Sequence, residues 1–342
     1  MSHELEIVNG KASMAYAGET PWHGLGKEVP NDLTPMQMLK AANLDWTVEK
    51  VPAFIQLPHL EPMKRLGEMR PHLNKVSIPR CALVRSSDQK ILDVVTPDWN
   101  PLQNEEAFDF FKDFVMKGDM EMHTAGSLKG GQLVWALARV KDGFFVGRKK
   151  DEVQSHLLFT NPHQFGKAID IRFTPIRVVC WNTLSMAIGR GLTIDQQVVR
   201  SSHRKPFDAE RVMATLGIAH TLLEEYRDAA NFIAGKRFTD ESLNEYFSEI
   251  FPKGDASKNP DVPHRNHQMA LALINNQPGA DLEEGSWWQA LNVVTYMTDH
   301  VLGRSDETRL ESAWFGSNRV LKNKALNLAV EKAAKSPDLI TA

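Results

Sequence analysis

Cysteine and tyrosine are scarce in this chain: two and four residues out of 342. Cys81 and Cys180 stand far apart, with no CxxC pair and no Cys/His ladder. That excludes a disulfide framework or a cysteine-built zinc site, and each thiol reads as a small buried hydrophobe. No apolar run approaches the roughly 18–20 residues of a membrane span. The opening MSHELEIVNGKASM lacks the basic and apolar regions of a secretory leader. A cytoplasmic protein without membrane association is therefore expected.

Catalytic signatures are also missing. There is no G-x-S-x-G elbow, no HExxH, no H-x-E…PCxxC deaminase pattern and no G-x-G-x-x-G after a strand. The segment PWHGLGKEVP (21–30) has glycines and a lysine but not the phosphate-loop spacing, and it reads as an arm anchored by Trp22. His264-x-x-His267 reads as a solvated helix start rather than a metal pair. Cys180, in the apolar run Val178-Val179-Cys180-Trp181, reads as inert rather than as a thiol partner of His156 or His163. No catalytic residue, metal ligand or cofactor is expected, and an enzyme with a scattered active site stays open.

What is present is a soluble globular composition, 42% hydrophobic and 24% charged. The net charge of −3 hides an uneven distribution. Residues 122–205 carry thirteen Lys/Arg against five Asp/Glu, a local +8 that leaves −11 on the rest. A basic middle between acidic flanks is the pattern of a protein that meets an anion on one face.

Along the chain, 1–30 reads as an N-terminal arm, 31–204 as an α+β sheet domain and 205–342 as a helical region. Thr34-Pro35 starts a helix that ends near Asn43, and 46–57 is a strand bent at Pro52. The Pro-rich 58–79 reads as an excursion from the core. Residues 81–87 and 91–99 form a hairpin. One amphipathic helix is expected over 103–116, because Ala107, Phe108, Phe111, Phe114 and Val115 share a face. Strands follow at 121–128 and 132–140, with two apolar faces on the second that mark it as central. The next pair, 156–160 and 168–174, is joined by a polar turn. Asn182-Thr183 reads as an N-cap for a helix that ends at Gly189. Helices are expected at 208–232, 240–251, 267–275, 287–302 and 317–335. The fold class is α+β: an antiparallel sheet with a long packing helix, followed by an all-helical C-terminal region.

The candidate site is electrostatic. On 168–174, Ile169, Ile171 and Phe173 take one face and Asp170, Arg172 and Thr174 the other. With the apolar set against the 103–116 helix, Arg172 faces away from the core. Arg177 lies beyond Pro175, and the turn adds His163, Phe165 and Lys167. Lys129 in the 129–131 turn and the cluster Arg148, Lys149 and Lys150 complete the basic set. Arginines hold phosphates and aromatic rings stack on bases, so the pattern suits single-stranded DNA or RNA.

The words PWHGLG (21–26), WNPLQNEEAF (99–108), RVVCWNTL (177–184) and AWFGSNRVLKNKAL (313–326) carry a resemblance to a known family. With them the chain resembles, over almost its whole length, the phage/plasmid-like proteins built on domain of unknown function 932. The resemblance implies a mobile-element setting in a bacterial cytoplasm and supplies no activity or site residues. In architecture the chain is also similar to phage annealing recombinases of the Red-beta type, which hold single strands along a basic groove in oligomers. The expected function is single-strand nucleic-acid binding in replication or recombination, as a homo-oligomer. The alternative is a module whose acidic helical half binds a host protein, in an anti-defence or regulatory role.

Overall fold

The computed structural model describes residues 6–8, 11–18, 26–56, 75–141, 143–177, 182–183, 199–252, 265–303, 312–313 and 316–338. A short ladder of β1 (Ile7–Val8) and β2 (Lys11–Ala12) leads into β3 (Met14–Ala17) and β4 (Lys27–Val29). These last two join the main sheet, β3 antiparallel to a later strand and β4 parallel to β3. The N-terminal segment is thus sheet as well as arm, which corrects the loop expected there. Its strands are two to four residues long, too short for alternation to show. Trp22 lies outside the described residues.

Helix α1 (Pro35–Ala41) begins where Thr34 announced it, in a capping box: Thr34 Oγ1 accepts from Gln37 N, and Gln37 Oε1 accepts from Thr34 N. A separate three-stranded sheet follows, β5 (Val48–Gln56), β6 (Lys75–Arg85) and β7 (Ile91–Val95), with the bend of β5 at Pro52. Strand β6 starts at Lys75, so the tail of the expected excursion is ladder, solvated along its first residues; 57–74 lies outside the described residues.

The expected 103–116 helix is two short ones, α2 (Asn104–Asp109) and α3 (Lys112–Lys117). Phe110 and Phe111, both buried, stand between the two. The break between the two short helices is marked by the bond from Phe111 N to Phe108 O. The two rings enter an aromatic cluster with Phe159 and Phe207, at centroid distances of 5.5–6.0 Å. Of these, Phe110, Phe111 and Phe159 are buried and each contributes about 1.5–3 kcal/mol by burial.

The main sheet continues with β8 (Met120–Leu128), β9 (Leu133–Val140), β10 (Phe144–Val146), β11 (Asp151–Pro162), β12 (Ile169–Arg177), β13 (Asn182–Thr183) and β14 (Val199–Ser201). Its order is β13-β12-β11-β9-β8-β3-β4, with β10 also on β11 and β14 also on β12. Asn182 and Thr183 pair with Arg177 and Ile176, so they form a strand and not the expected N-cap; the segment after them and Cys180 lie outside the described residues. Strand β9 is central, as its two apolar faces required. Val134, Ala136 and Ala138 enter the main core. Trp135 and Leu137 join Leu158, Ile176, Met14 and Tyr16 in a second cluster on the opposite face.

The helical part comprises α4 (Ala209–Ala234), α5 (Asp240–Ile250), α6 (Arg265–Leu273), α7 (Trp287–Tyr296) and α8 (Ser317–Ala333). A π-helical turn, Met297–Val301, extends α7. Nine of the ten residues of α7 are buried, which makes it the central helix. Trp288 Nε1 donates to Asp151 Oδ2 at 2.8 Å, at the start of β11. One apolar core runs from β3 through the sheet to α8. The result is an α+β protein. Among the described residues, no helix is long and apolar enough to cross a membrane.

Candidate anion-binding recess

Strand pairing decides which basic residues meet. Because Pro162 stands opposite Leu133, the β8–β9 turn with Lys129 and the β11–β12 turn with Lys167 lie side by side at one end of the sheet. Strand β14 sets Arg200 opposite Asp170, and the first turn of α8 brings Arg319 to the same place. Lys129, Lys167, Arg172, Arg200 and Arg319 line one recess of about 340 Å³, and Asp170 is its one carboxylate among the described lining residues.

Arg172 has the facing that alternation predicts, away from Ile169, Ile171 and Phe173, which enter the main core. It does not lie on an open surface: it is 7% exposed. Its Nε and Nη2 donate to the two oxygens of Asp170, at 2.7 and 2.5 Å. A planar fork held this way at the floor of a recess is fixed in direction and largely desolvated. Arg200, half-exposed, stands 3.8 Å from the same carboxylate. Lys167 is exposed at the rim.

Behind this floor lies Lys322, one turn along α8 from Arg319. It is buried and paired with Asp299 in the π-helical turn at 2.9 Å. Burial lowers its pKa, the nearby carboxylate opposes that shift, and Arg319 and Arg172 push it further down. The two arginines therefore act on one field from two elements.

His163 is a correction. The polar turn suggested an exposed ring, but the side chain is fully buried. Its Nε2 stands 3.0 Å from Asn104 Oδ1, an acceptor, so that nitrogen carries the proton. The ring lies on Trp46 at 5.4 Å, and Asn104 donates onward to Leu44 O. Burial, with a smaller push from His203, drives its pKa down to about 3. His163 thus pins the β11–β12 turn to α2 as a neutral ring and presents nothing to a ligand. Phe165, two residues on, is 46% exposed beside the recess, its backbone N–H held by Asp93 at 2.7 Å.

The cluster Arg148, Lys149 and Lys150 lies elsewhere. It precedes β11, and the eight residues from there to Leu158, opposite Arg172, separate it from the recess by roughly 25 Å or more. There Lys149 N donates to Glu283 Oε1 at 2.8 Å and Lys149 Nζ to Asp281 O. Gly147 has φ +70, and a Cβ on it would stand 2.2 Å from Glu283, so the loop before α7 seats directly on this turn. Arg177 ends β12 opposite Val153, also away from the recess; its side chain lies outside the described residues.

Of the expected set, the fold brings together Lys129, Lys167, Arg172 and Phe165, and separates Arg148, Lys149 and Lys150. Arg200, Arg319 and Asp170 were not among the candidates. The closing word AWFGSNRVLKNKAL held Arg319 and Lys322, and the strand alternation already put Asp170 beside Arg172. Elsewhere His267 Nε2 donates to Asn244 O at 3.3 Å, while His264 lies outside the described residues. Among the described residues, no group of three or more His, Cys, Asp or Glu is placed to hold a metal ion.

The α+β class and this recess are set against known proteins through one match. Residues 91–314 match the family model described as Domain of unknown function (DUF932), and the chain belongs to that family. The match includes every recess residue except Arg319. No curated protein and no solved structure matches the chain.

Proposed function

We propose that the protein binds single-stranded nucleic acid at the recess between the β8–β9 and β11–β12 turns. The observation that carries this reading is the convergence, among the described lining residues, of five cationic side chains from separate elements around one carboxylate. Arg172 and Arg200 offer guanidinium planes to phosphate, Lys129 and Lys167 offer point charges at the rim, and Phe165 stands next to them for a base to stack on. The binding is non-catalytic, of DNA or RNA, and serves replication or recombination of a phage, prophage or plasmid in a bacterial cytoplasm, as a homo-oligomer. The family resemblance supports that setting. Arg172 contributes as a held, partly neutralised group, so the exposed cations carry most of the affinity.

Fluorescence anisotropy with a labelled oligonucleotide, repeated at rising salt, tests the reading. Affinity should fall linearly with salt on logarithmic axes. Replacing Lys167 and Arg200 by alanine should weaken binding and lower the slope by about 1 for each phosphate contact removed. No binding at low salt, or binding unchanged in that double variant, would remove it.

A further inference from the structure

We infer that the outer face of the β5-β6-β7 sheet is a two-fold interface on which a second copy of this chain docks; for the homo-oligomer alone the inference rests on the strand-binding reading, and it needs nothing of the recess. Strand register sets the face. Val51 stands opposite Ala82 and Ala82 opposite Val94; in the next row Glu49 stands opposite Val84 and Val84 opposite Ile91. Directly opposed residues share a face. Val48, Leu83 and Val95 point the other way, into the main core. On the outer face Val51 is 42% exposed, Val94 44% and Ile91 61%, an apolar patch laid across the sheet.

The edges of this sheet are blunted, which leaves its face to a partner. On β5, the Gln103 side chain bonds both Val48 N and Val48 O, and Pro52 has no N–H to offer. On β7, Leu92 O accepts from Gln132 Nε2.

Charge identifies the occupant. Glu49 lies two residues before Val51 on β5, and Arg80, two residues before Ala82 on β6, falls by alternation on the same face. Because the strands are antiparallel, the two charges flank the Val51–Ala82–Val94 row on opposite sides, each about 7 Å from it along the strands. Both are exposed. Among the described residues, Glu49 makes no ion pair and Arg80 bonds only Pro79 O, at 2.9 Å. A two-fold axis along the row, between two stacked faces, returns the row to itself and brings Glu49 of each copy to Arg80 of the other. Stacked sheets lie about 10 Å apart, a gap that these two long side chains span together. The patch is thus complementary to itself, which an unrelated partner does not require. Three strands about 4.8 Å apart and at most eleven residues long make a small interface, so association in the micromolar range is expected.

Sedimentation equilibrium of the full chain without nucleic acid, from low to high micromolar concentration, tests the inference. The mass should rise toward that of two chains. Val94→Lys puts a charge into the row and should weaken self-association by about tenfold or more. Glu49→Arg and Arg80→Glu should each do the same, because each sets like charges against one another twice per dimer. An equimolar mixture of these two charge variants should regain association, and so should both substitutions in one chain, since both arrangements restore the opposite-charge contacts. Recovery in the mixture also shows that each variant is folded. A monomer at every concentration, association untouched by Val94→Lys, or no recovery in the mixture would overturn the inference. A monomer that still binds oligonucleotide leaves the strand-binding reading standing without its oligomer. A dimer that binds none removes that reading and keeps this interface.

Discussion

The two ends of β11 carry comparable basic charge in the sequence and use it differently. At the β10 end, Lys149 is tied by its backbone and its ammonium to the loop that holds Asp281 and Glu283. There the charge helps seat the helical part on the sheet. At the β12 end, cations from the two turns, β12, β14 and α8 are gathered around Asp170. The lesson is that a charge-rich stretch does not define a surface: one end of a strand is a joint, the other a recess.

The sharpest way to break this contrast is Arg172→Ala. It leaves Asp170 buried with its principal partner gone, and a loss of about 3–5 kcal/mol of stability is expected. Replacing both Arg172 and Asp170 by alanine should return much of that loss, read by urea denaturation. If Arg172→Ala alone is harmless, the floor of the recess is not built on this ion pair.

Acid provides the next largest effect. Burial depresses His123 to about 4, with Arg139 adding to it, and His203 to about 4; His163 falls to about 3. All three are neutral in the folded protein at pH 7. Their folded pKa values lie below the ordinary 6.5, so the unfolded chain binds more protons between about 6.5 and 4. Their stabilising contribution is complete above about 6.5 and is lost as pH falls through that window. The slope is at most about 1.4 kcal/mol per pH unit for each histidine. Denaturation midpoints measured from pH 7 to 4.5 check it, and a flat profile would mean that the rings are solvated.

At the joint, Glu283→Ala removes the acceptor of Lys149 N. A cost of about 0.5–1.5 kcal/mol is expected for a part-buried hydrogen bond whose donor water can reach, with oligonucleotide affinity unchanged. The smallest effect belongs to the rim. Lys167→Ala and Arg200→Ala each remove an exposed side chain, so stability should stay within about 0.5 kcal/mol of the parent. A large loss of stability there would mean that the rim cations are structural, like those of the joint.

Much of the fold was legible because it depends on local chemistry. Thr34-Pro35 gave the helix start, the two apolar faces of 133–140 gave a central strand, and alternation on 169–173 gave the facing of Arg172. What was illegible depends on distant partners. Nothing near His163 reveals that Trp46 and Asn104 enclose it. Nothing near Arg172 reveals that Arg319, far along the chain, stands over the same recess. The break at Phe110–Phe111 has no Pro or Gly to announce it, and the rings that pack on it, Phe159 and Phe207, lie far along the chain. Total charge in 122–205 was correct as a count and silent about grouping, because register, not sequence distance, puts Lys129 beside Lys167 and away from Arg148.

The most direct measurement is a salt-titrated binding curve for two charge-matched double variants, one at each end of β11. Lys167→Ala with Arg200→Ala should weaken oligonucleotide binding by about tenfold or more and flatten the salt dependence. Arg148→Ala with Lys150→Ala should leave both unchanged. Equal loss in the two variants, or loss only in the second, would contradict the assignment of the recess as the anion site.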